Sequence, residues 1–351
     1  MLGPRENLLR TVRFETPEYI PMEFQINPAC WQHYPQDALQ ELMAGHPLLF
    51  PCFAPSREKI SPDFSPVQRK DQPYTDPWGC VWHTAENGIT GTVSEHPLAD
   101  WSNLGHYRPP DPERSDGLVA VDWGEEAAKI QAKKQRGELV QASLRHGHTF
   151  LQLCDMRGYQ NLMLDMADDE PRLWTLIGML EEFNLALVEK FVSLGAEWIS
   201  YPEDLGMQRG PMISPRHFRK YIQPSYRRLM RPALEAGCIV HTHSDGDIRR
   251  LVDDLTDSGV QVINLQDLVN GIDWIAGRFG GKLCIELDID RQEVTFGGSP
   301  PEIDALIRRE VAQLGRKEGG LMMIYGLYPG VPLPNVRALM DAMERYMVFY
   351  S

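Results

Sequence analysis

Apolar residues along this chain gather in short runs, separated by longer segments in which apolar positions recur every three or four residues. The runs are approximately Tyr19 to Phe24, Pro47 to Phe53, Thr149 to Cys154, Glu197 to Tyr201, Cys238 to His243, Val260 to Leu265, Lys282 to Asp288 and Leu321 to Tyr325. Short continuous runs of this kind read as parallel strands buried on both faces. Between them, Pro171 opens a stretch whose Trp174, Leu176, Ile177, Leu180, Phe183, Leu187 and Phe191 form one helical stripe ending at Gly195. Ser214-Pro215 reads as a second helix start, and Ser299-Pro300-Pro301-Glu302 has capping-box spacing before Ile303, Leu306 and Ile307. Strand, helix, strand order repeated to eight strands predicts an α/β fold, a (β/α)8 TIM-like barrel, with an open doubly wound sheet as the alternative.

Residues from about 54 to 147 break this rhythm, being richer in Pro, Asp and aromatics. Within them Asn87-Gly88 lies between β-prone flanks, which predicts a β-hairpin inserted after the second strand. On a barrel such an insertion lies at the carboxyl ends of the strands, where it either walls the pocket or decorates the surface. The 351 residues exceed the roughly 150 usual for one domain, but single barrels occupy this range, so residues 1–351 are expected to form one barrel domain.

Composition narrows the function. Hydrophobic residues make up 42% and charged residues 24%, with no long apolar window, so a membrane span is not expected. The N-terminus lacks the apolar core of a secretory signal and carries acids that a transit peptide avoids, so a cytoplasmic protein is expected. Asp and Glu outnumber Lys and Arg by 49 to 35, a net charge of -14 that argues against nucleic acid as a partner. The six cysteines show no CxxC spacing or short repeat and read as reduced core residues. No glycine-rich nucleotide loop follows a strand, so no nucleotide cofactor is expected.

Candidate chemistry collects at strand ends. In His241-Thr242-His243-Ser244-Asp245-Gly246-Asp247, alternation puts His241 and His243 on one face of a strand, with Asp245 starting the next loop. Imidazole and carboxylate suit a borderline metal, and His243 with Asp245 at i, i+2 can converge on one ion. The plainer alternative is a buried, hydrogen-bonded histidine followed by a turn and a helix cap. Glu203 and Asp204 follow another strand, Asn264 and Gln266 share a face at the end of the sixth, and Glu286 and Asp288 alternate along the seventh. Tyr325 closes the eighth as a hydrogen-bond donor, an acid or an oxygen ligand. The candidate set is Asp204, His241 and Tyr325 for catalysis, Glu203, Asn264 and Asp288 for substrate binding, and His243, Asp245 and Glu286 for a metal.

Several segments carry a resemblance. RENLLRTVRFETPEYIPM resembles the N-terminus of the uroporphyrinogen decarboxylase superfamily, and DPWGCVWHTAENGITGTVSEHPL its "D-x-W-G" hairpin. GAEWISYPEDLG is similar to one of its mid-barrel strand ends, HTHSDGDIRRLVDDLTDSGVQVINLQ to its "H-x-[CD]-G" segment, and GGLMMIYGLYPGVPLPNVRALMDAM to its final strand, turn and helix. The resemblance implies a TIM-like barrel and one of two chemistries: decarboxylation of uroporphyrinogen, or zinc-dependent methyl transfer involving a corrinoid protein.

Departures from the pattern favour the second. Ile26 and Cys30 stand where the decarboxylases carry substrate-gripping arginines, and Tyr325 replaces their late histidine. The methyltransferases' "H-x-C" becomes His243-x-Asp245, and their second cysteine becomes Tyr325 before Gly326, so oxygen replaces sulfur. The resemblance thus implies a zinc held by His243 and Asp245, helped by His241, Glu203 or Glu286. Such a harder site suits activation of the oxygen of a small methylated substrate, whose methyl passes to a corrinoid on a partner protein. The alternatives are a metal-free decarboxylase using Asp204 or Asp245 as acid/base, and a non-catalytic ligand-binding barrel. A homodimer is left open.

Overall fold

The computed structural model describes residues 2–349. Its principal sheet has seven strands: β1 Met22–Ile26, β2 Gln141–Ser143, β3 Trp198–Pro202, β4 Ile239–Ser244, β5 Val262–Gln266, β6 Cys284–Asp288 and β7 Leu321–Leu327. Six coincide with predicted runs, displaced toward the carboxyl end by up to three residues. Two predicted strands are absent. Pro47 to Phe53 forms turns that leave Cys52 exposed, the one cysteine of six outside the expected core, and Thr149 to Cys154 falls in helix α1, Phe150–Arg157. A short apolar run has the same composition in either state, and here the helix prevails. The strand β2 lies inside the segment expected as insertion, so the hairpin precedes the second parallel strand.

The chain forms two compact units, one comprising the residues up to Lys70, Thr84–Thr90 and those from Asn264 onward, the other Asp71–His83 and Gly91–Ile263. In the first, β1 and β6 flank β7 in parallel, with Phe24 opposite Tyr325 and Leu287 opposite Met323. Ser299 and Glu302 form the expected capping box on the helix Pro300–Leu314. In the second unit β2, β3 and β4 run in parallel, with Ala142 opposite Ile199, Ser200 opposite His241 and Pro202 opposite His243.

The long helix of the second unit spans Arg172–Leu194 and buries Leu173, Leu176, Ile177, Leu180, Phe183 and Leu187 before Gly195 ends it at φ 84°. Trp174, expected on that stripe, is 45% exposed, because the buried face is centred one position earlier, on Leu173. The hairpin is present: Val81–His83 pairs antiparallel with Thr92–Glu95, and Tyr74–Thr75 adds a third strand. Its connection is longer than the two-residue Asn-Gly turn that the dipeptide predicts. Instead the Asn87 side chain accepts from Lys70 N at 2.8 Å and Gly88 N donates to Gln68 O at 2.9 Å. The Asp76-x-Trp78-Gly79 segment is a turn locked by its acid, which accepts from Cys80 N and from Trp82 Nε1, each at 2.9 Å. No helix among the described residues is long and apolar enough to cross a membrane.

Candidate functional site

Three strand ends of the second unit carry the polar groups. Beyond β2 comes His146, beyond β3 come Glu203 and Asp204, and β4 carries His241 and His243 before Asp245. The backbone ties these segments together. Glu203 N donates to His243 O and Gly147 N to Pro202 O, both at 2.9 Å, while Gly206 N donates to Asp245 O at 3.1 Å and Asp247 N to Met207 O at 2.7 Å. The loops after β3 and β4 approach so closely that only glycine fits at the crossing: a Cβ on Gly206 would stand 2.5 Å from Gly246 C.

Asp204 is the centre of the site. Its Oδ1 lies 3.3 Å from His146 Nε2 and 3.5 Å from His243 Nε2, and accepts from Asp245 N at 3.1 Å. Asp245 Oδ1 is 3.6 Å from His243 Nε2. Burial alone would push the Asp204 carboxyl up, but hydrogen bonds and positive charge from the two histidines outweigh it, and the group is held well below the usual carboxylate range. One ligand atom from each of His146, Asp204 and His243 lies within 4.8 Å of the others. Ligand atoms about 2.0–2.1 Å from a tetrahedral zinc stand about 3.3–3.4 Å apart, close to the two separations at Asp204. Two imidazoles and a carboxylate are also a donor set suited to zinc or a related divalent ion, so the residues fit such a metal.

His241 faces the same side of β4 as His243. Its Nδ1 meets Ser200 Oγ at 2.6 Å and its ring lies 5.3 Å from Trp198, whereas Tyr201 points the other way to donate to Leu229 O. Glu203 is fully buried, and its carboxylate accepts from Thr149 N at 2.5 Å, Phe150 N at 2.8 Å and Leu151 N at 3.1 Å. Burial pushes its pKa up to about 7, although these donors and His146 pull the other way. Burial drives His148 down to about 3, so this neighbour is neutral.

The remaining predicted residues belong to the first unit. Asn264 Nδ2 donates to Glu286 O at 2.8 Å, and Asp288 pairs with Arg291 at 2.9 Å. Tyr325 is fully buried, packs 5.2 Å from Phe24 and donates to Thr295 Oγ1 at 3.2 Å. Burial pushes its pKa up to about 12. Among the predicted residues of the second unit, the structure gathers Asp204, His243 and Asp245. It adds His146, which the sequence reading missed because β2 lies within the supposed insertion. A signal was present: His146-Gly147-His148 follows the alternating Val140 to Leu144, just as His241-x-His243 ends β4.

The family model for uroporphyrinogen decarboxylase matches residues 78–346. This chain belongs to the uroporphyrinogen decarboxylase family. The family match spans β2 to β7 and every candidate site residue. Among solved structures, this family member is similar to a methyltransferase from Methanosarcina mazei, with a TM-score of 0.65, 16% identity and 99% of each chain covered. It is also similar to a B12-independent methionine synthase from Shewanella sp. W3-18-1 in complex with selenomethionine, with a TM-score of 0.43, 11% identity and coverage of 66% of this chain and 69% of that one. The first likeness shows the fold, the α/β TIM-like barrel of the family. No curated protein sequence matches the chain.

Proposed function

We propose that this uroporphyrinogen decarboxylase family member is a metal-assisted methyltransferase that moves a methyl group from a small methylated substrate to a corrinoid on a partner protein. The observation that carries this reading is the triangle of His146, Asp204 and His243, with Asp245 beside it. His146, Asp204 and His243 would hold the metal. When bound, a divalent metal supplies Lewis acidity toward an oxygen of the substrate. Asp204, kept ionised by its surroundings, supplies the negative charge that favours cation binding. Asp245 offers a further carboxylate next to His243. Ser200 Oγ bonds Nδ1 of His241 and holds the orientation of its ring on the face of β4 that carries His243, a place where an imidazole suits proton transfer.

The chain also departs from what a porphyrinogen acid would need. Cys30 is fully buried, donates to Leu327 O and is pushed up to about 12 by burial, so a neutral thiol stands where the family's decarboxylases resemble one another in an arginine. The similarity to the Methanosarcina mazei methyltransferase supports the same branch. The test is elemental analysis of the full-length protein, followed by incubation with reduced cobalamin and a panel of methyl ethers, methylamines and methyl thioethers. Stoichiometric zinc and the visible spectrum of a methylated corrinoid are expected. A metal-free protein that transfers no methyl group, or that releases carbon dioxide from a carboxylated substrate, overturns the proposal.

A further inference from the structure

We infer that Glu203 is a positioning residue, which sets the metal-holding triangle by pinning the segment that carries His146. The inference rests on the metal-holding reading above. Sequence alone offers Glu203 as a substrate-binding carboxylate at a strand end. Its side chain, however, is fully buried and both oxygens face the main chain.

The partners are the backbone N–H groups of Thr149, Phe150 and Leu151, which open α1. The first N–H groups of a helix have no partner within it, and a carboxylate there also meets the positive end of the helix dipole. Glu203 is thus a cap supplied from a different strand. Only Gly147 and His148 separate the pinned residues from His146, and both are held. Gly147 N donates to Pro202 O at 2.9 Å, and His148 O accepts from Asn184 Nδ2 at 2.7 Å. Gly147 turns at φ 74°, where a Cβ would stand 2.8 Å from Leu151 Cβ, so the pinned helix and the His146 segment pack as one piece.

The same residue reaches the other two corners. Asp204 follows it directly in the chain, and its own N–H donates to the carbonyl of His243 at 2.9 Å. One residue therefore bonds to, or adjoins, every segment that carries a corner of the triangle. A glutamine in its place keeps the length but offers one accepting oxygen where two are used, and turns an N–H2 group toward backbone N–H donors. An aspartate keeps the charge and loses a methylene of reach.

The experiment measures Zn2+ affinity of the full-length protein by competition with a chromophoric chelator, and the ligand-field spectrum of the Co2+-loaded form, for wild type, E203Q and E203D. Leu187→Ala, a buried change in the long helix of the same unit, serves as the control for general destabilisation. Both Glu203 variants are expected to lose about 10- to 100-fold in Zn2+ affinity, the size found when residues supporting metal ligands are changed, and to shift the Co2+ bands. L187A is expected to lower thermal stability and leave both readouts unchanged. Should E203Q fail to fold, E203D carries the comparison. Unchanged affinity and spectrum in the Glu203 variants, with wild type binding normally, overturn the positioning role and leave the metal-holding reading standing. A wild type that binds neither ion overturns that reading itself.

Discussion

The contact between Gly206 and Gly246 gives the sharpest test of how the site is assembled. Replacing Gly246 with alanine would drive a Cβ into the carbonyl carbon and oxygen of Gly206 and to 2.6 Å from Met207 N, against ordinary heavy-atom contacts of about 3.5–4.0 Å. Relief needs a main-chain shift of roughly 1 Å, because the obstructing atoms are backbone and cannot rotate away. The φ of 78° adds about 1–2 kcal/mol for any residue with a side chain, and overpacking of this kind costs about 1–3 kcal/mol. A loss of about 2–5 kcal/mol is expected in urea unfolding of metal-free G246A. The shift acts on the loop whose Asp245 N binds Asp204 Oδ1 at 3.1 Å, so Zn2+ affinity should fall by at least about 10-fold as well. Gly178→Ala in the long helix is the control: nothing lies within 4 Å of its added Cβ, and it should gain about 0.5–1 kcal/mol. G246A with stability within about 0.5 kcal/mol of wild type and unaltered Zn2+ affinity would refute the close-approach argument.

Further expectations concern single side chains. H146A should lose more than about 100-fold in Zn2+ affinity, beyond the loss typical of supporting residues, whereas H83A on the exposed hairpin strand should lose none; equal affinities for the two would remove His146 from the site. Asp155 is pushed up to about 6 by burial, against the pull of Arg145 and with a further push from Asp76. Its native form holds its proton more tightly than the unfolded chain, whose aspartates titrate near about 3.9, so this contribution to stability is full below that value and is lost as pH rises through about 6, on the order of 3 kcal/mol. Urea midpoints between pH 4 and 7 should therefore show a slope that D155N flattens, and parallel profiles for the two proteins would contradict the assignment. Tyr325→Phe deletes the hydroxyl that donates to Thr295 Oγ1 and should cost about 0.5–1.5 kcal/mol in thermal unfolding; no loss would mean that this buried bond contributes nothing net.

What the sequence shows and what it hides follow from the range of the interactions involved. Alternation along β4 is a property of the chain itself, so His241 and His243 could be placed on one face from the residues alone. The acids at Glu203 and Asp204 were equally visible, yet their roles diverge for reasons that local sequence does not contain. Glu203 turns inward to cap a helix 53 residues earlier in the chain, and that cap contributes to making the apolar run after Thr149 a helix where periodicity alone also allowed a strand. Asp204 stays outside, where two imidazoles from other strand ends set its charge. Neither fate can be read before β2, β3 and β4 are in register, and the short alternation around β2, three residues long, does not say which strand it pairs with. The missed histidine and the misread helix thus have one source, since both depend on where Gln141–Ser143 pairs with β3. The repeated His-x-His is the local trace of that pairing: in each pair the more buried ring, His148 or His241, is held by a hydroxyl, and the other, His146 or His243, meets Asp204.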